Sequence, residues 1–423
     1  MITPLINPNR IEADYLIETA FDPMQAAEIM AGEQSSGTFV AVPGETRELK
    51  ARSAARVERL EVFDTVAEPT LPGSGLPESG DGLRKQARVT LSWPIANLGP
   101  SLPNLIATVA GNLFELKPFS GLRLVDVRLP RAFAEKYDGP QFGMEGTRRL
   151  SGVEGRPLIG TIIKPSVGLN ADDTAVLVDK LCMGGIDFIK DDELQADGPA
   201  CPFEERVRAV MAVINRYADK TGKKPMVAFN LTGDMDDMRR HHDIVVEHGG
   251  TCIMASLTAV GMTGLIELRR HSQLPIHAHR CGWGALTREP MLGWSYPAWS
   301  KLWRLAGADH MHVNGLDNKF TEADDSVIAS ARSLNEPLFD QAPMQAVPVF
   351  SSGQTIRQAA GTLKAVGTPD LIMTAGGGVV AHPDGISAGV TAMRDAWDAA
   401  MAGSDLETYA KDHPALASAL TVY

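Results

Sequence analysis

The chain is short of cysteine, of basic charge and of long apolar runs. Its 423 residues include four cysteines, Cys182, Cys201, Cys252 and Cys281. None is spaced as CxxC, and the density is too low for a disulfide framework, which suits a reducing compartment. The 40 Lys and Arg are outnumbered by 52 Asp and Glu, for a net charge of -12. That balance argues against nucleic acid and against anionic membrane surfaces. Any phosphate bound here must be held by local basic groups and backbone amides, against the overall field. No apolar run approaches the ~18 residues of a membrane helix. The N-terminus, MITPLINPNRIEADYLIE, carries early charges and no apolar stretch of the signal-peptide kind. A cytoplasmic protein is expected. A content of 44% hydrophobic and 22% charged residues is that of a globular chain, long enough for two or three domains.

Residues 1–135 read as a smaller α+β domain of ferredoxin-like type. QARVTLSWPI (86–95) and LRLVDVRLP (122–130) read as strands, and SLPNLIATVAGNLFEL (101–116) as a helix. Pro and Gly are frequent between Glu68 and Gly82, where an exposed loop is expected. From Pro157 the rhythm changes. Short apolar runs recur at 158–164, 186–190, 226–230, 251–256, 275–280, 309–313, 347–352 and 370–375, separated by amphipathic stretches. Strands alternating with helices imply parallel pairing, and eight units fit a closed (β/α)8 TIM barrel over 150–423, with a C-terminal helical tail. A doubly wound sheet is the alternative, weakened by the lack of GxGxxG after the first strand.

In a barrel, function sits at the C-terminal ends of the strands. Here those ends are polar: Lys164 after the first, Lys190, Asp192 and Glu193 after the second, and His277, His279 and Arg280 at the fifth. His310 and His312 mark the sixth, with Lys319 in its loop. Ser351, Ser352 and Gly353 follow the seventh, and Gly376, Gly377 and Gly378 the eighth. Asp192 and Glu193 offer hard oxygens to Mg2+. Lys190 beside them is either an ion-pair partner or, converted by CO2 to a carbamate, a third anionic donor. The HxH pairs bind zinc in some barrel hydrolases, but those pair a first-strand HxH with an eighth-strand Asp, and neither is present. Core histidines are the other reading. The triple glycine before the last helix suits an anion. Arg280 and His312, on adjacent strands, suit a second one.

These residues resemble a family. GTIIKPSVGL (160–169), GGIDFIKDDE (184–193), HAHR (277–280), DHMHVNGLDNK (309–319), FSSGQ (350–354) and TAGGGVVAHP (374–383) are similar, in order and spacing, to barrel motifs of the ribulose bisphosphate carboxylase large subunit. GEQSSGTF (32–39) and VAGNLFELKPFSGLRLVDVRLP (109–130) extend the resemblance to the N-terminal domain. The resemblance implies a carbamylated Lys190 that binds Mg2+ with Asp192 and Glu193. It implies Lys164 as the acid/base lysine, His279 as a catalytic histidine and Lys319 as the mobile-loop lysine that meets CO2. Arg280, His312, Ser352 and Gly353 would form the distal substrate-binding set, and Gly376 and Gly377 the proximal phosphate loop. Glu33, Thr38 and Asn112 would be lent by a neighbouring subunit, so a homodimer, and possible higher assembly, is implied.

The departures point away from carboxylation of ribulose bisphosphate. Ser166 stands where the family has a second lysine, Phe39 where it has Trp, Trp283 where it has His, and Gln354 where it has Gly. The chain therefore resembles the RuBisCO-like (form IV) proteins. The retained parts imply an enolate formed from a phosphorylated substrate. Retention of Lys319, Glu33 and HAHR favours a decarboxylase of the 3-oxo-isoapionate 4-phosphate type. The alternatives are the 2,3-diketo-5-methylthiopentyl 1-phosphate enolase of methionine salvage, a sugar-phosphate isomerase or epimerase, and a non-catalytic regulatory protein.

Overall fold

Alternation makes the first strand. In RIEADYLIET, Ile11, Ala13, Tyr15 and Ile17 are fully buried while the polar residues between them face out. This strand, β1 (Arg10–Thr19), lies between β3 (Arg84–Pro94) and β4 (Phe119–Arg128), antiparallel to both, with β2 (Arg56–Val66) outermost beyond β3. These strands come from a computed structural model, in which residues 7–37 and 42–423 are described. Helices Pro23–Glu33 and Leu102–Val109 connect the strands into a strand–helix–strand–strand–helix–strand order. The helix expected over 101–116 stops at Val109. A Cβ at Gly111 would lie 2.3 Å from Ala107 O, so the chain turns tightly there and resumes as one 3-10 turn, Asn112–Glu115.

The chain divides into two compact units, residues 1–138 with 282–305, and 139–281 with 306–423. Gly282–Leu305, which the eight-unit rhythm assigns to the barrel, therefore clusters with the N-terminal sheet. Its strand Leu292–Trp294 pairs parallel to β4, and the Arg123 guanidinium donates to the carbonyls of Thr287, Glu289 and Leu292. Trp283, Tyr296, Trp299 and Trp303 stack along it, with Trp283 and Trp299 4.7 Å apart.

The second unit is the barrel. Its eight strands fall where the apolar runs lie: β5 (Leu158–Ile162), β6 (Phe188–Lys190), β7 (Met226–Asn230), β8 (Cys252–Ser256) and β9 (Ile276–His279), then, after β10 (Leu292–Trp294) in the other unit, β11 (His310–His312), β12 (Val347–Phe350) and β13 (Ile372–Thr374). All eight pair in parallel and β13 closes on β5. Inward residues such as Leu158, Phe188, Met226, Met254, Val349 and Ile372 fill the interior, and Met144 and Leu150 of helix Gly143–Ser151 pack against them. That helix is anchored by buried Asp309. Its carboxylate accepts from the amides of Phe142 (2.7 Å), Gly143 (3.1 Å) and Ile276 (2.8 Å) and pairs with Arg269 at 3.0 Å. The chain ends in helices Ile386–Met401, Leu406–Tyr409 and Pro414–Leu420. Among the described residues no helix is long and apolar enough to cross a membrane. All four cysteines are free.

Candidate active site

The three acids after β6 divide their work. Asp191 turns away from the barrel axis: its carboxylate takes Arg206 Nε at 3.2 Å and the Asn230 amide at 3.0 Å, and all three residues are buried. It braces the turn. Asn230, the last residue of β7, adds to this by donating through Nδ2 to the carbonyls of Asp192 and Glu193, both at 3.3 Å. The turn so held aims Asp192 and Glu193 into the mouth of the barrel.

Lys190 is 1% exposed. Its Nζ lies 3.5 Å from Glu193 Oε2, and His279 Nε2 lies 3.5 Å from the same oxygen. Asp192 does not pair with Lys190. Its Oδ2 accepts from Lys164 Nζ at 2.7 Å, and Lys164 also donates to Ser166 Oγ at 2.8 Å. Gly376, after β13, sits beside the Lys164 side chain, where a Cβ would lie 3.5 Å from Cε. The residues expected after strands one, two, five and eight thus converge on one cluster. Burial lowers the Lys190 pKa despite Glu193, Asp192 and Asp191, which eases loss of its proton. Burial would raise Asp192, but the hydrogen bonds from Lys164, the Leu194 amide and Ser166 together outweigh it and the carboxyl is held below its usual range. Burial lowers His279 to about 3 and keeps it neutral, and among the described residues its buried Nδ1 has no hydrogen-bond partner.

The other histidines form a chain through the barrel. Thr147, on the helix beneath, has its hydroxyl 2.8 Å from His310 Nε2. His310 Nδ1 lies 3.4 Å from His277 Nδ1, His277 Nε2 lies 2.8 Å from His312 Nε2, and His312 Nδ1 lies 3.0 Å from Ser351 Oγ. Counting protons fixes the direction. Thr147 has one hydroxyl hydrogen and donates it to Gly143 O at 2.5 Å. His310 Nε2 must therefore donate to Thr147, His277 Nδ1 to His310, His312 Nε2 to His277, and Ser351 to His312. This needs three neutral imidazoles, and burial holds His277 and His312 well below the ordinary range and His310 down to about 3. His277, His310 and His312 are core histidines, and His312 spends both ring nitrogens on the chain.

The other expected residues lie as follows. Arg280 is buried and paired with Glu322 at 2.7 Å. Ser352 Oγ donates to Asn314 Oδ1 at 2.9 Å, and Gly353 is exposed. Gly377 is exposed at the start of a short helix, Gly377–Val380. Lys319 is exposed, its ammonium 5.3 Å from the centre of the Phe320 ring. Glu33 and Asn112 are exposed residues of the N-terminal unit. Thr38 and Phe39 lie outside the described residues. Asn230, Asn314, Glu322 and Thr147 were not singled out in the sequence. Asn230 ends an apolar run and Asn314 precedes a glycine, which are faint signals. Glu322 is one acid among several and carries none.

Residues 143–423 match the family model for the ribulose bisphosphate carboxylase large chain, catalytic domain, and residues 10–133 that for its N-terminal domain. The chain belongs to the ribulose bisphosphate carboxylase large-chain family. It is 60% identical to a 3-oxo-isoapionate-4-phosphate transcarboxylase/hydrolase of Xanthobacter autotrophicus, over 97% of this chain and 98% of that protein. It is 44% identical to a 3-oxo-isoapionate-4-phosphate decarboxylase of Rhizobium etli, over 98% of each. The crystal structure of a rubisco-like protein from Burkholderia fungorum superposes with a TM-score of 0.91 at 47% identity, covering 98% of this chain and 100% of that one. Two departures from the family pattern gain a physical account. Ser166, in place of the family's second lysine, accepts from Lys164. Gln354, in place of a glycine, is buried and donates through Nε2 to Leu316 O at 3.0 Å.

Neutral buried histidines make stability pH-dependent. Unfolded imidazoles titrate near ~6.5, whereas His310 stays uncharged in the fold down to about 3. Between these values unfolding takes up protons, so stability is full above the unfolded pKa and falls as pH drops. The slope is up to about 1.4 kcal/mol per pH unit for each such histidine. Urea midpoints should fall steeply from pH 7.5 to 5; a flat series would contradict the neutral chain.

Proposed function

We propose that the chain is a Mg2+-dependent enzyme acting on 3-oxo-isoapionate 4-phosphate. It would break the bond to the substrate's carboxylate, and would not carboxylate ribulose bisphosphate. The observation that carries this reading is the 60% identity to the transcarboxylase/hydrolase named for that substrate. The decarboxylase at 44% identity names the same compound. Both activities begin alike. A β-keto acid loses its carboxylate because the electrons of the breaking bond pass into the neighbouring carbonyl, leaving an enolate. Release of CO2 and protonation completes a decarboxylation. Return of the carboxyl to another carbon, followed by water, completes a transfer and hydrolysis. The higher identity favours transfer and hydrolysis.

The donor set fits Mg2+. Asp192 and Glu193 are hard carboxylate donors. An ammonium at Lys190 would repel the ion. Burial eases loss of the Lys190 proton; the amine so formed would add CO2 at Nζ, lose a further proton and become a carbamate, a third anionic oxygen donor. Bound there, Mg2+ would supply positive charge against the oxygen on which the enolate charge develops. Lys164, its Nζ 2.7 Å from Asp192 Oδ2, is the proton donor to the enolate carbon. His279, kept neutral by burial, takes a hydrogen bond or a proton from a substrate hydroxyl. The amides of Gly376 and Gly377 hold the phosphate. Lys319 and Glu33 hold the departing CO2, with Glu33, Thr38 and Asn112 supplied by the second copy in a homodimer.

Substrate carrying 13C in its carboxylate separates the outcomes. Label in an acid product is expected. Label in CO2 alone would make the enzyme a decarboxylase, and no turnover would overturn the reading. Lys164→Met should lower kcat by about 10²-fold or more. Mixing inactive Glu33→Ala and Lys190→Ala chains should restore activity through hybrid sites. A fully active monomer in ultracentrifugation would contradict the shared site.

A further inference from the structure

A second charged cluster lies at the tops of β9 and β11. Arg280 is 8% exposed, and its Nη2 donates to Glu322 Oε2 at 2.7 Å. Asn314 Nδ2 donates to the same oxygen at 2.6 Å, and Ser326 Oγ donates to Oε1 at 2.9 Å. A guanidinium, an amide and a hydroxyl thus surround one carboxylate. This is an anion cradle, and the anion in it belongs to the chain.

The cradle is fixed from several sides. Asn314 holds a left-handed backbone, φ 71°, and so does Ser352, φ 72°, whose hydroxyl donates to Asn314 Oδ1. Asn318 Nδ2 ties the loop across its base, donating to Gly315 O at 3.0 Å and Glu322 O at 3.1 Å. Gln354 packs against Gly315 so closely that a Cβ there would lie 2.1 Å from its amide, and among the described residues its buried Oε1 has no hydrogen-bond partner. That oxygen is an acceptor, unsuited to phosphate oxygens.

We propose that Glu322 is a specificity-determining residue, the resident counter-anion of Arg280, and that it restricts the site to substrates with a single phosphate. The proposal rests on the reading that the site takes a sugar phosphate. A second phosphate at Arg280 would either face the Glu322 carboxylate, like charge against like charge at a poorly hydrated position, or evict it from three donors. Both are costly, so the single phosphate goes elsewhere in the site.

The test is the ratio of two dissociation constants, that of ribulose 5-phosphate over that of ribulose 1,5-bisphosphate, measured by calorimetry with Mg2+ and bicarbonate present. The wild-type ratio should be about 1 or below. In Glu322→Ala it should rise about 10-fold or more, the worth of one charge-assisted contact. Glu322→Gln, which keeps bulk and an acceptor for Arg280, should raise it about 3-fold and covers a folding failure of the alanine variant. A ratio unchanged by both substitutions, or no binding of either sugar by any of the three proteins, would overturn the proposal. Because binding is read without turnover, loss of the ratio change leaves the substrate assignment standing. A ratio change without turnover of 3-oxo-isoapionate 4-phosphate leaves Glu322 standing and removes the assignment.

Discussion

The burial of one amine sets the terms for the barrel mouth. Lys190 Nζ is enclosed at the end of β6, with a carboxylate oxygen 3.5 Å away. At an effective dielectric constant of about 20 that attraction is about 5 kcal/mol. The penalty for burying an ammonium is several kcal/mol, the same order. With neighbouring acids contributing, burial still holds the amine's pKa below its ordinary value. An uncharged amine is a nucleophile toward CO2, whereas an ammonium is not. Desolvation therefore eases the passage from ion pair to metal site.

The surrounding structure keeps that amine in place and the nearby charges sorted. Asp191, Arg206 and Asn230 hold the turn that carries Asp192 and Glu193. Asp192 pairs with Lys164, and burial keeps His279 neutral. The two lysines stand at the ends of adjacent strands and differ in exposure: the Lys164 side chain is 40% exposed and that of Lys190 is 1%.

The barrel was legible because its signal is periodic. Each apolar run became a strand, and residues at its end faced the mouth as strand geometry requires. Partners were less legible. Lys190 and Asp192 share a direction on an extended chain, yet Asp192 pairs with Lys164, because β5 and β6 are neighbours and a lysine reaches across. At the fifth and sixth strands zinc was disfavoured for want of a first-strand HxH and an eighth-strand Asp, and the proton count from Thr147 to Ser351 gives His277, His310 and His312 core partners. That residues 282–305 cluster with the N-terminal sheet was not signalled, because a three-residue strand between tryptophans carries no mark of the sheet it joins. Glu322 was invisible because a loop's backbone path, not its composition, turns one acid inward.

The direct test of the central claim is a 13C NMR spectrum of the protein equilibrated with 13C-bicarbonate and Mg2+. The account predicts one slowly exchanging carbamate resonance per chain, absent from Lys190→Met and retained in Lys164→Met. A wild-type spectrum without that resonance, or one in which it survives the loss of Lys190, would contradict the claim that burial of this amine makes the metal site.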